Sequence, residues 1–199
     1  MNIHKIISTV LHPIVIPTIG VMLYFLVAPI SLKSNQKFAV LSLVFVITYL
    51  IPLLILILFK KIKLIKSYNT ETIKERKIPV AIMIVLFFLL GNTLNNITSF
   101  RDLSFLFYGT CLGLTLIYLL FFFKLKSSIH LLSLGVSISY FMILSSIYNR
   151  SYILIILIII LLSGILASSR LHLKAHTTKE IYVGFFIGIV SPLSIYIFL

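Results

Sequence analysis

Apolar residues run through this chain in long unbroken stretches rather than at amphipathic intervals. Seven of them, at about 13–31, 38–59, 78–95, 103–123, 129–147, 151–168 and 182–199, approach the roughly 20 residues that a helix needs to cross about 30 Å of hydrocarbon. None alternates polar and apolar positions as a membrane barrel would, and only helices or closed barrels satisfy the backbone in lipid. The pattern predicts an all-α fold: a polytopic transmembrane helical bundle of about six to seven spans. The segments between runs are short, so 1–199 reads as a single domain, with its polar motifs inside 60–199. Lys5 ahead of the first run gives it the look of a signal peptide. Pro13, Pro17 and Pro29 within it, and the lack of a small-residue cleavage site, predict a retained helix instead.

Composition agrees with that pattern. The chain is 60% hydrophobic and 11% charged, with a mean hydropathy of +1.19, which excludes a soluble domain. Cys111 is the only cysteine and lies inside an apolar run. It can form no intrachain disulfide, and no metal site can rest on thiolates.

Charge divides the chain into two faces. If the spans alternate, the N-terminus, 60–77, 124–128 and 169–181 share one face, and 32–37, 96–102, 148–150 and the C-terminus share the other. The first face holds 13 of the 17 Lys and Arg residues. The positive-inside rule would make that face cytoplasmic, although cations kept to bind an anion raise the same count. All five histidines lie on that face or at helix ends adjoining it, so any chemistry is expected there. Asn92, Asn95, Asn96, Asp102 and Asn149 on the other face read as interfacial caps and loop residues.

Three clusters on the basic face have the residue types that hold and attack a phosphate. In the first, His176 is four residues ahead of Glu180, at the start of the last span. A neighbouring carboxylate can orient an imidazole and steady the imidazolium formed when it acts as a nucleophile. Thr177 to Glu180 is equally a capping box, and the two roles are compatible. Arg170 reads either as a bidentate phosphate fork or as a snorkelling interfacial arginine. Ser169 could donate to a phosphate oxygen or to its own helix.

The second cluster, Lys126-Ser127-Ser128-Ile129-His130, enters the fifth run. Helix N-termini favour anions, and His130 could protonate a leaving oxygen; a basic loop with an interfacial histidine is the plainer reading. The third, Lys74-Glu75-Arg76-Lys77-Ile78-Pro79, has Pro79 as a helix-start signal and is otherwise a charged turn. An even number of runs separates each cluster from the next, and that shared parity is what joins them into one candidate site.

The chain resembles the type 2 phosphatidic acid phosphatase superfamily of membrane lipid-phosphate phosphatases. The third motif of that superfamily matches Ser169, Arg170, His176 and Glu180, with Glu in place of Asp, and Gly184 and Gly188 follow. Its second motif matches Ser128 and His130, with Ile129 where the family has glycine. Its first motif is represented by Lys74, Arg76 and Pro79 at a different spacing. In this respect the chain more closely resembles a branch common in Bacteroidetes, with a Glu-Arg segment before a proline-started helix, a Lys-x-Ser-x-His segment (Lys126 to His130) and an early His-Pro (His12-Pro13).

The resemblance implies that His176 attacks a lipid phosphate or diphosphate to form a phosphohistidine. His130 would protonate the leaving group and Glu180 would orient His176. Arg170 and Ser128 would hold phosphate oxygens, with Lys126, Ser169, Arg76 and Lys74 as further phosphate contacts. No metal and no other cofactor is implied. The implied partner is a membrane lipid carrying phosphate, not a nucleic acid, with a homo-oligomer or a membrane complex compatible. The implied location is a bacterial inner membrane, crossed many times, with the site on its outer side, opposite to the side the charge count indicates. Ile129 and the altered first motif support an alternative, a non-catalytic membrane subunit or scaffold on the same fold. A transporter has little support, because no charged residue lies mid-span.

Overall fold

The computed structural model describes residues 3–68 and 72–199, and these form helices joined by short turns, with no strand among them. We number the helices α1 (Ile3–Val10), α2 (Ile16–Val27), α3 (Ser34–Lys61), α4 (Ile73–Asn95), α5 (Arg101–Leu120), α6 (Ile129–Tyr148), α7 (Ile153–His172) and α8 (Thr178–Phe198). A short 3₁₀ turn, Thr98–Phe100, leads into α5. The helices α3 to α8 are long and apolar enough to cross a membrane. The protein is therefore an all-α, multi-pass membrane bundle.

The first apolar run departs from expectation. Its helix, α2, has 12 residues, about 18 Å at 1.5 Å per residue, too short to span alone. Prolines set both limits. Pro17 stands in its first turn, and Ala28, which precedes Pro29, is extended at φ −69°, ψ 135°, as a residue ahead of proline prefers. The chain still reaches the opposite end of the bundle. Tyr24 donates to both Asp102 oxygens at 2.8 Å, and Tyr152 donates to the Val27 carbonyl at 3.3 Å. Parity between the two faces is thus kept by one short helix and the extended residues after it.

Proline also shapes α3 and α4. Within α3 the segment Val46–Leu50 is π-helical, with the Ile51 N–H bonded to the Val46 carbonyl. That wider turn precedes Pro52, whose ring would otherwise crowd the carbonyl four residues back. Pro79 was expected near the first turn of its helix, but α4 begins six residues earlier, at Ile73. The start is set by Thr72, whose hydroxyl accepts the Glu75 N–H at 3.3 Å while the Glu75 carboxylate accepts the Thr72 N–H. A reciprocal cap outweighs the proline signal.

The helix α6 is the hub, with 72% of its membrane window buried against 22–50% for the other long helices. Its closest partner is α8, and glycines permit the approach. A Cβ at Gly188 would overlap the Leu132 carbonyl oxygen, one at Gly184 the Ser128 carbonyl oxygen, and one at Gly135 the Phe185 carbonyl oxygen. Small residues that let backbones touch are how helices associate in lipid, where hydrophobic attraction between them is lost. At the far end, Asp102 accepts from Tyr24 and Tyr148, joining α2, α5 and α6. Asp102 is more than the interfacial cap its position suggested.

Candidate functional site

The start of α8 builds the centre of the site. Thr177 caps the helix, its hydroxyl accepting the Glu180 N–H at 3.4 Å, and Glu180 Oε2 accepts the Thr177 N–H at 3.3 Å. The same Oε2 lies 2.7 Å from His176 Nδ1. Facing a carboxylate, Nδ1 carries the ring proton, which leaves the lone pair on Nε2. The capping and orienting roles of Glu180 coexist on one oxygen. His176 is 7% exposed, and burial, reinforced by the charges of Arg76, Arg170 and Lys126, holds its pKa down at about 4 against the opposing pull of Glu180. At neutral pH the ring is uncharged and nucleophilic.

The backbone of α8 also fixes the second cluster. The Ser128 N–H donates to the Glu180 carbonyl at 3.0 Å, and Gly184 lies against the Ser128 carbonyl. This places His130, in the first turn of α6, beside the His176 segment. Lys126 donates from Nζ to the Ala175 carbonyl at 3.1 Å, tying the same loop to the turn before His176. From α4, Arg76 is buried and donates to the Ser127 carbonyl at 3.2 Å. From α7, Arg170 donates to Ser8 Oγ at 2.8 Å, while its buried Nε has no partner.

These residues surround one cavity of about 580 Å³. Of the nine site residues expected from sequence, Arg76, Lys126, His130, Arg170 and His176 line it, and Glu180 stands behind His176. Three others lie outside the lining. Lys74 is exposed: two residues before Arg76 on a helix of 3.6 residues per turn, it faces almost the opposite way. Ser169 is turned back on its own helix, donating to the Ile165 carbonyl at 2.9 Å, with His4 Nδ1 at 3.3 Å. Ser128 is fully buried where α8 crosses, and its hydroxyl has no partner. Ile129, which replaces the glycine of the resembling motif, does face the cavity.

Sequence reasoning gave no site role to three basic residues that line the cavity. His12, in the turn between α1 and α2, meets His130 edge-on with ring centroids 5.0 Å apart. Burial, with Arg170 nearby, lowers its pKa to about 4. Lys5 and Lys174 also line the cavity. Five lysine and arginine side chains thus border it, and among the described residues no carboxylate does. The signal available for His12 was its position just ahead of proline on the histidine-rich face; its contact with His130, 118 positions away, has no local trace. No protein-family model, curated protein or solved structure matches the chain.

Proposed function

We propose that this protein is a membrane phosphatase that hydrolyses a lipid phosphate or diphosphate through a phosphohistidine, in a bacterial inner membrane. The observation that carries this reading is His176, uncharged and oriented by Glu180, in one cavity with Arg76, Lys126, Arg170 and His130. Guanidinium and ammonium groups bind phosphate oxygens with charge-assisted hydrogen bonds and offset charge that develops during transfer.

In the first step His176 Nε2 attacks phosphorus, the N–P bond forms and the P–O bond to the lipid breaks. The departing oxygen takes the proton that the bound phosphate monoanion brings, passed across by His130. Glu180 holds the Nδ1 proton and steadies the positive ring. In the second step water attacks phosphorus, His130 takes a proton from that water, the N–P bond breaks, and phosphate leaves carrying that proton. Each histidine ends as it began.

Phosphate release from a panel of lipid phosphates, without added metal, tests the reading. Wild-type protein should release phosphate and His176→Ala should not. Glu180→Gln keeps the helix cap, since glutamine closes a capping box, but removes the charge facing the ring. It should slow turnover on the order of 10²-fold or more while the thermal midpoint barely moves. Equal turnover in Glu180→Gln and wild type would reduce Glu180 to a cap. The presence of Ile129 in the cavity wall favours a second reading, a non-catalytic subunit on the same frame. Absence of phosphate release from every lipid offered would select it.

A further inference from the structure

The cavity continues well past its charged rim. Along α4 its lining runs from Arg76 to Phe87, a depth of about 16 Å at 1.5 Å per residue. Below the rim the wall is hydrocarbon, formed by Ile55 and Leu56 of α3, Phe87 of α4, Leu106 and Leu114 of α5 and Val136 of α6. Three hydroxyls interrupt that wall, and each is committed to its own helix. Thr110 donates to the Leu106 carbonyl at 2.7 Å, Ser133 to His130 at 2.8 Å and Ser137 to Ser133 at 2.9 Å. Hydroxyls bonded back to their own helix offer little to a ligand.

The chamber therefore has a cationic end and an apolar body, the complement of an amphiphile with an anionic head. Its size limits the tail. At about 30 Å³ for a water-sized group, about 580 Å³ holds roughly nineteen heavy atoms. A phosphate head uses five of these, leaving room for a chain of roughly fourteen carbons. A two-chain phospholipid has more than twice as many atoms as the chamber holds.

We propose that the cavity takes a single-chain lipid phosphate, its head at the rim with Arg76, Lys126 and Arg170, and its hydrocarbon tail inside the bundle among α3 to α6. This rests on reading the rim as a phosphate site, but does not require that the phosphate be hydrolysed. The test uses a single-chain alkyl phosphonate, which cannot be turned over at phosphorus, with a photoreactive diazirine at the chain end. It is added to the full-length protein in nanodiscs, and crosslinked residues are mapped by mass spectrometry.

The tail end should label cavity residues such as Leu106, Leu114 and Val136. Excess unlabelled alkyl phosphate of similar length should abolish that labelling, whereas inorganic phosphate and two-chain phosphatidic acid should leave it. Crosslinks confined to outward-facing residues such as Val85 and Leu154 would overturn the proposal. So would equal protection by phosphatidic acid or by inorganic phosphate. Cavity labelling in a protein that releases no phosphate from any lipid would retain this inference and reject the phosphatase reading. Phosphate release with outward-only labelling would do the reverse.

Discussion

Glu180 Oε2 serves both the Thr177 N–H and His176 Nδ1, so the helix cap and the orientation of the His176 ring are set by one atom. Both roles could be read from sequence because they are local: i,i+4 spacing places His176 near Glu180, and Thr177 to Glu180 spells the capping box. His12 and the inward face of Ile129 could not, since they depend on contacts between distant segments. Burial of His176 and His12 has a consequence for stability. Each has a pKa lowered from 6.5 to about 4. Between those values the unfolded chain takes up protons that the folded chain refuses, so stability falls as pH drops from 6.5 toward 4. Thermal unfolding in detergent should show a falling midpoint across that window. The combined variant His12→Asn, His176→Asn should flatten the slope. An unchanged slope would mean that these rings are solvated in the folded protein.

At the scale of elements, most span lengths and the Thr177 cap were legible because they follow from hydrophobic run length and from Thr-x-x-Glu spelling. The shortness of α2 and the early start of α4 were less so, because each turns on which of two local signals wins. For α4 the cap at Thr72 overrides Pro79, and for α2 the flanking prolines cut the helix inside an otherwise continuous apolar run. The glycines of α8 were legible only as residues that follow the third motif, and the structure gives them specific packing partners. Gly188→Ala must push Leu132 away and should cost about 1–3 kcal/mol by overpacking. Gly184→Ala presses on Ser128, at the loop that carries Lys126 and His130, and should reduce activity as well as stability. Gly164 has no atom within 4 Å of where its Cβ would lie, so Gly164→Ala should be neutral or slightly stabilising. Thermal midpoints of the three variants check this order, and a Gly188→Ala midpoint equal to that of Gly164→Ala would contradict the close α6–α8 contact.

For the whole molecule, the parity argument from sequence and the observed packing agree on which ends lie together. The chain runs ends in the order 61, 73, 120, 129, 172 and 178 on the side of the cavity, because α3 to α8 alternate in direction. In a Cys111→Ser background, single cysteines at Lys61, Leu125 and Lys179 should react with an impermeant thiol reagent from one side of a sealed vesicle. Cysteines at Thr98 and Arg150 should react only from the other. Mixed accessibility within either set would break the topology and, with it, the convergence of the three basic segments.

The central claim is that His176 carries phosphate during turnover. Rapid quenching of wild-type protein with a lipid phosphate labelled in its phosphoryl group should trap label on the protein. The bond should survive alkali and be lost in acid, as a phosphoramidate is, and it should map to His176 and be absent from His176→Ala. A wild-type protein that releases labelled phosphate with no acid-labile label on His176, or that takes label equally well as His176→Ala, would contradict the account.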